Sequence, residues 1–436
     1  MSLTSSLIQM IRSKPTADED LALTAMFSLD ALATAYAGSA TPTGKKLLEW
    51  ARHSDLDSKR QVFLMAALTH ITETDDLHRA SVTHPGCVVV PTALSLGERS
   101  GASAEKILLA ILHGFEAMCR IGAAVGPTHY KVWHNTATCG PYGSAMAAAT
   151  LLDLDLEATV NALGNAGTQS SGFWQFMETG AMSKHLHAGR ASESGLLAAE
   201  LAAFGFTGSA QILEGEKGMF AGMCIDPIPE AILDAPDDPW QLALTSIKPW
   251  PSCRHTHPAI DCALELYDRL DGSKIESIEV DTYQAALDVC DRPEPENEYQ
   301  AKFSLYHCVA IALLNGEVKL DSFNEQARNQ TADIRRATRV RVVDPFASRY
   351  PQSWGSAVRV TTSNGEILGA ERKDCKGDPE LALSESEMRS KAMNLMQYGG
   401  LDAIEAAARC DAVMGLPGSS SSPRLFSDYI ETIGVT

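Results

Sequence analysis

The chain reads as a mainly α protein: a large all-helical domain with a smaller α+β domain inserted into it. Three observations predict this. Apolar residues recur at three- and four-residue steps through most of the first 204 positions. A cluster of Asp234, Pro236, Asp237, Asp238 and Pro239 then marks a linker, beyond which alternating, strand-like patterns appear. After Leu381 the helical period returns. The expected domains are therefore 1–239 and 383–436 for the helical part, and 240–382 for the insertion.

Taken in order, Ala17 to Leu48 is helical, with Leu21, Ala25, Met26, Leu29, Leu32 and Ala33 on the repeat and a break at Pro42 and Gly44. Gly38 to Lys46 imitates a phosphate loop but fails, because five residues separate its glycines and Lys45 is followed by Lys46. Arg60 to Ile71 is a second helix. It runs into Glu73, Asp75, Asp76, His78 and His84, on a segment that Pro85-Gly86 ends. Adjacent aspartates raise each other's pKa and suit proton transfer or a hard cation; the plain alternative is a solvated acidic loop. Val88–Arg99 and Ala104–Val125 are helices. His134 follows, ahead of a helix of small residues from Gly143 to Leu152, where the helix dipole favours an anion. Leu156–Gly167 is another helix. Ser170-Ser171-Gly172 is not a nucleophile elbow, so a serine hydrolase is unsupported.

Met182 to Ser192 concentrates Lys184, His185, His187 and Arg190 among small residues. A helix beginning near Lys184 sets Lys184, His187 and Ala191 on one face, while Ala188 and Gly189 admit another backbone or a ligand. Such cations suit a carboxylate and a proton transfer beside it. Prolines 249, 251 and 258 fix an extended segment that carries Lys248, Arg254, His255 and His257, a second anion-binding set. His185-x-His187 and His255-x-His257 are not a closed metal set, and no metal is expected.

In the insertion, Ile275–Val280 and Thr338–Val343 alternate as strands. Ala357–Leu368 is a hairpin whose Asn364-Gly365 pair favours a type I′ turn. Phe303–Leu314 and Phe323–Ala327 are helical, with Gly316 stopping the first. Ser384–Tyr398 and Asp402–Val413 close the chain as helices.

The balance of 36 basic and 55 acidic residues, net charge −19, argues against nucleic acid or an anionic membrane as partner. Ten scattered cysteines fit reduced thiols. With no apolar run of membrane-spanning length and no leader pattern, a cytoplasmic protein is expected.

Asp75-Asp76 followed by His84-Pro85-Gly86, Trp133-His134-x-Thr136, Lys184-x-x-His187-x-Gly189-x-Ala191, Lys248-Pro249-Trp250-Pro251-Ser252-Cys253-Arg254-His255-x-His257 and Ala301-Lys302-Phe303-Ser304 occur in this order. Together they resemble the motifs of the MmgE/PrpD family. That family comprises cofactor-independent enzymes such as 2-methylcitrate dehydratase, cis-aconitate decarboxylase and iminodisuccinate epimerase. The resemblance implies an all-helical domain with an α+β lid domain, no cofactor, a homodimer and a small polycarboxylate substrate. It implies a lyase that removes a proton beside a carboxylate, 2-methylcitrate dehydratase-like, with epimerase or decarboxylase activity as alternatives. Asp75 or Asp76, His84, His134, Lys184 and Lys248 are carried over as catalytic pocket residues, with His187, Arg254, His255 and His257 expected to bind substrate. Cys253 stands where the decarboxylase branch has histidine, and Asn135 where the family commonly has proline.

Overall fold

A computed structural model describes residues 1–435. The chain forms two compact units: Met1–Ile71, Asp75–Ile247 and Ser384–Thr436 make the first, and Thr72–Thr74 with Lys248–Leu383 make the second.

The first unit opens with α1 (Leu3–Ser13), α2 (Asp18–Ala40), α3 (Pro42–Arg52) and α4 (Ser58–Thr69). Thr41 ends α2 and caps α3, accepting the Gly44 N–H at 3.0 Å just before Pro42, which suits the first helical position. After the short β1 (Leu77–His78) come α5 (Gly86–Ser100) and α6 (Ala104–Ala124). Next are α7 (Asn135–Leu151), α8 (Leu156–Gly167), the single turn α9 (Phe176–Thr179), α10 (Ser183–Ala203) and α11 (Met219–Met223). The small-residue helix thus begins eight residues earlier than its glycines suggest, and His134 is its N-cap. β2 (Thr245–Ser246) pairs antiparallel with β1.

The centre of this unit is α5, α7 and α10. Small residues let them close up. A Cβ on Gly195 would lie 2.4 Å from the Pro141 carbonyl oxygen, and one on Gly140 2.8 Å from Ala191 Cβ. Buried hydroxyls join the three helices. Ser192 Oγ donates to the Val88 carbonyl at 2.7 Å, and Ser144 Oγ donates to the Ser192 carbonyl at 2.6 Å. Hydroxyls that find carbonyl partners this way are themselves satisfied inside the core. Gly189 serves the same packing. A Cβ there would meet the Phe63 ring at 2.6 Å and the Phe63 carbonyl oxygen at 2.9 Å, so the space is filled by α4 rather than by a ligand. Contrary to the sequence expectation, α2 and α6 are long and apolar enough to cross a membrane by length and composition. Their most apolar windows are 78% and 89% buried inside the protein, where they serve as core helices.

The second unit begins with α12 (His257–Leu270) and β3 (Ile275–Thr282). Five short helices follow: α13 (Gln284–Cys290), α14 (Glu298–Lys302), α15 (Leu305–Asn315), α16 (Glu325–Gln330) and α17 (Ala332–Arg336). Then come β4 (Thr338–Val342), α18 (Phe346–Arg349), β5 (Ser356–Thr362) and β6 (Ile367–Arg372). The sheet order is β4-β3-β5-β6, parallel between β3 and β4 and antiparallel elsewhere. The hairpin is present, but its turn is not type I′. Only Gly365 has positive φ, at 86°, and its N–H donates to the Thr362 carbonyl at 2.8 Å. That is a type I turn closed by a glycine bulge. The helix expected from Phe303 begins two residues later, because Ser304 accepts the His307 N–H and caps α15. Gly316 ends α15 in the left-handed conformation, as expected.

The chain then returns to the first unit with α19 (Glu385–Tyr398), α20 (Ala403–Met414) and α21 (Leu425–Thr432). Lys391 of α19 pairs with the buried Asp30 of α2, and Tyr429 packs edge-on against Tyr36 at 4.9 Å.

Candidate active site

In the first unit, the end of α4, the loop to α5, the N-terminus of α7 and the N-terminus of α10 converge on a buried polar cluster. The loop is not a solvated acidic one: Asp75 and Asp76 are both buried. Val82 in this loop has φ 50°, a strained conformation for a β-branched residue.

The two aspartates play different parts. Asp76 receives the Gly86 N–H on both carboxyl oxygens at 3.0 Å, which ties down the N-terminus of α5. Burial, then the neighbouring charges of Asp75 and Asp30, push its pKa well above the usual carboxylate range. Asp75 bonds His70 Nδ1 at 2.5 Å, with His84 Nδ1 3.4 Å away. Burial alone would raise the Asp75 pKa, but its interactions with His70 and His84 outweigh it and hold the carboxyl well below the usual carboxylate range. His84 Nδ1 donates to the Asp76 carbonyl at 2.6 Å.

His70, at the end of α4, belongs to no motif singled out in the sequence, yet it lies at the middle of the cluster. Its ring stacks on His134 at 5.5 Å and meets His84 edge-on at 4.8 Å. The N-cap position on α7 sets His134 among Trp174, Phe176 and His187, with 3.2 Å between the Nδ1 atoms of the two histidines. Lys184 is 3% exposed in the first turn of α10, and its charge bears on His70, His134 and His187. Burial first, with Lys184 adding to it, lowers the pKa of His70 to about 3 and of His187 to about 4. His134 shifts well down, by burial and then by the charges of His70 and Lys184. The rings are therefore neutral, and in the His134–His187 pair one nitrogen donates while the other accepts. One face of half-buried His187 borders a cavity of about 510 Å³ lined also by Gln169, Ser171, Phe176 and Arg190. His185 is turned away, its Nδ1 donating to the His70 carbonyl at 3.1 Å.

His70, Asp75 and His84 each have a ligand-capable atom within 4.8 Å of the others. The Nδ1 atoms of both histidines already donate, one to Asp75 and the other to the Asp76 carbonyl.

The second anion-binding set lies in the second unit, and there the cations have protein partners. Lys248 is 1% exposed, with Nζ 3.3 Å from the Glu73 carbonyl and 3.4 Å from its carboxylate. Arg254 donates through Nε and a terminal nitrogen to both carboxylate oxygens of Asp378, and its guanidinium lies over Trp354. His255 stacks on Trp354 at 4.4 Å and bonds the Tyr283 hydroxyl at 2.8 Å. His257 Nε2 donates to the Ser252 carbonyl at 3.2 Å. These are the bonds of a hydrophobic and aromatic core, a context that the sequence spacing of the cations could not reveal.

Comparison with known proteins bears on the family of the chain. Residues 6–231 match the MmgE/PrpD N-terminal domain and residues 250–413 the MmgE/PrpD C-terminal domain. The cis-aconitate decarboxylase of Aspergillus terreus is 25% identical over 375 residues, 78% of this chain and 73% of the relative. That of Mus musculus is 24% identical over 404 residues, 83% of this chain and 80% of the relative. That of Homo sapiens is 27% identical over 281 residues, 60% of this chain and 56% of the relative. Matched in order by both halves of one family over most of its length, the chain belongs to the MmgE/PrpD family.

Proposed function

We propose that the protein is a carboxy-lyase that decarboxylates cis-aconitate or a close unsaturated tricarboxylate. The observation that carries this reading is the buried ammonium of Lys184 set among three histidines held neutral by burial. Loss of carbon dioxide from such an acid leaves negative charge on carbon, delocalised towards a neighbouring carboxylate. A buried cation binds that carboxylate and stabilises the charge as it develops, with a strength that water would abolish. Neutral imidazoles can pass a proton without adding repulsion to Lys184. The activity named for the relatives supports the same choice of substrate.

The second reading is dehydration of a hydroxy-tricarboxylate such as 2-methylcitrate, favoured by Cys253 at the place where the decarboxylase branch has histidine. Proton NMR with cis-aconitate, 2-methylcitrate and substituted succinates in D₂O separates the readings. An itaconate-type product with carbon dioxide release supports decarboxylation. A methyl-aconitate signal selects dehydration, and loss of an α-proton signal without a new alkene selects epimerisation. Lys184→Ala should lower turnover by about 10²- to 10⁴-fold; an unchanged rate removes Lys184 from the mechanism.

A further inference from the structure

His70 closes α4 and is fully buried. Its Nδ1 lies 2.5 Å from Asp75 Oδ2, and since the carboxylate is ionised, the hydrogen resides on Nδ1. The neutral ring then keeps its lone pair on Nε2. That atom is buried without a hydrogen-bond partner among the described residues, as is Asp75 Oδ1. Buried polar atoms are rarely left so, and those that are call for a ligand, a water or a catalytic role. Here the orphan nitrogen belongs to a ring stacked on His134 and edge-on to His84, within the influence of the Lys184 charge.

We propose that His70 is a catalytic residue, the group that hands a proton to the substrate carbon through Nε2 while Asp75 fixes the ring's tautomer and balances its charge. The step rests on the decarboxylase reading above. Nε2 takes a proton from solvent, and Asp75 stabilises the imidazolium. The ring delivers that proton to the alkene CH carbon, where the π pair of the old double bond forms the new C–H bond. The C–C bond to the departing carboxylate breaks, its electron pair forms the new double bond, carbon dioxide leaves, and the ring is neutral again. Asp75 is then a positioning residue, acting through His70.

The test uses two variants. His70→Asn keeps a side-chain N–H at the Nδ1 position for Asp75 but has nothing in place of Nε2. His70→Ala leaves room for free imidazole. Both should turn over cis-aconitate about 10²- to 10⁴-fold more slowly than the wild type. Added imidazole should restore His70→Ala and not His70→Asn, a rescue that a purely structural role does not produce. A His70→Asn enzyme within about threefold of the wild-type kcat overturns the proposal. So does a His70→Ala protein that unfolds in urea as the wild type does yet gains nothing from imidazole. If the wild type itself transforms no acid tested, the reading of function falls, and His70 is judged by nitrogen NMR of histidine-labelled protein. An Nδ1–H ring whose Nε2 resonance shifts on adding cis-aconitate supports the role; an Nε2–H ring, or no shift, overturns it.

Discussion

Gly195→Ala tests whether the packing of α10 on α7 sets the geometry of the site. The added Cβ would lie 2.4 Å from both the Pro141 carbonyl oxygen and Ser144 Cβ, and 2.6 Å from the Ala145 nitrogen. Ordinary contact begins at 3.4 Å, and two of these neighbours are backbone, so the helices must part by about 1 Å. Overpacking of this kind costs about 1–3 kcal/mol. Alanine regains about 1 kcal/mol of helix propensity. The net loss of stability is therefore small, about 0–2 kcal/mol. The catalytic effect is not small, because α10 carries Lys184 and His187 while α7 begins at His134, whose Nδ1 lies 3.2 Å from that of His187. A displacement of about 1 Å between reacting groups costs about 10²-fold in rate. Urea unfolding and initial rates with cis-aconitate measure the two effects separately. Gly222→Ala in α11 is the control, since nothing lies within 4 Å of its added Cβ. A Gly195→Ala protein that is fully active and about 1 kcal/mol more stable than the wild type would refute the argument.

Asp378→Ala leaves the guanidinium of Arg254 buried without its carboxylate and should lower stability by about 3–5 kcal/mol in urea unfolding; an unchanged midpoint would deny that the pair is structural. Stability should also fall on acidification. The folded pKa values of His70, His78 and His255 are depressed to about 3, 4 and 3 by burial, so below 6.5 the unfolded chain binds protons that the folded chain does not. Their contribution is complete above pH 6.5 and declines by up to about 1.4 kcal/mol per pH unit for each ring below it. A urea midpoint that is flat from pH 7.5 to 5 would contradict this.

The helices and strands were legible because their periods are local. Lys184, His187 and His134 stood out because their polar chemistry interrupts apolar or small-residue runs, and the fold brings them near one another. What could not be read was commitment to distant partners. Arg254 looked like an anion-binding cation, but Asp378 lies 124 residues further on, and no local pattern joins them. Gly189 looked like a gap for a ligand until α4 supplied Phe63. His70 escaped notice because one histidine after Ala66-Ala67-Leu68-Thr69 looks like the frayed end of a core helix. Its one signal was its position five residues before Asp75, where a reversal of the chain can bring the two side chains together. Asp75 and Asp76 could not be told apart, since their difference lies in what the loop turns each one towards.

The pairing of Lys391 with Asp30 also bears on how the protein is made. Asp30 lies inside α2, and Lys391 follows it in the chain by 361 residues. At 5–20 residues per second, about 20–70 s separate the synthesis of the acid from that of its counterion. For that interval a nascent chain holds a carboxylate in the middle of an apolar helix with no α19 to cover it. The helical unit is thus begun first and finished last, while the whole of the second unit is made in between. A ribosome that stalls before Ser384 would release a chain that already contains Lys184, His134 and His70 but still exposes the face of α2, making it a substrate for chaperones and proteases rather than for chemistry.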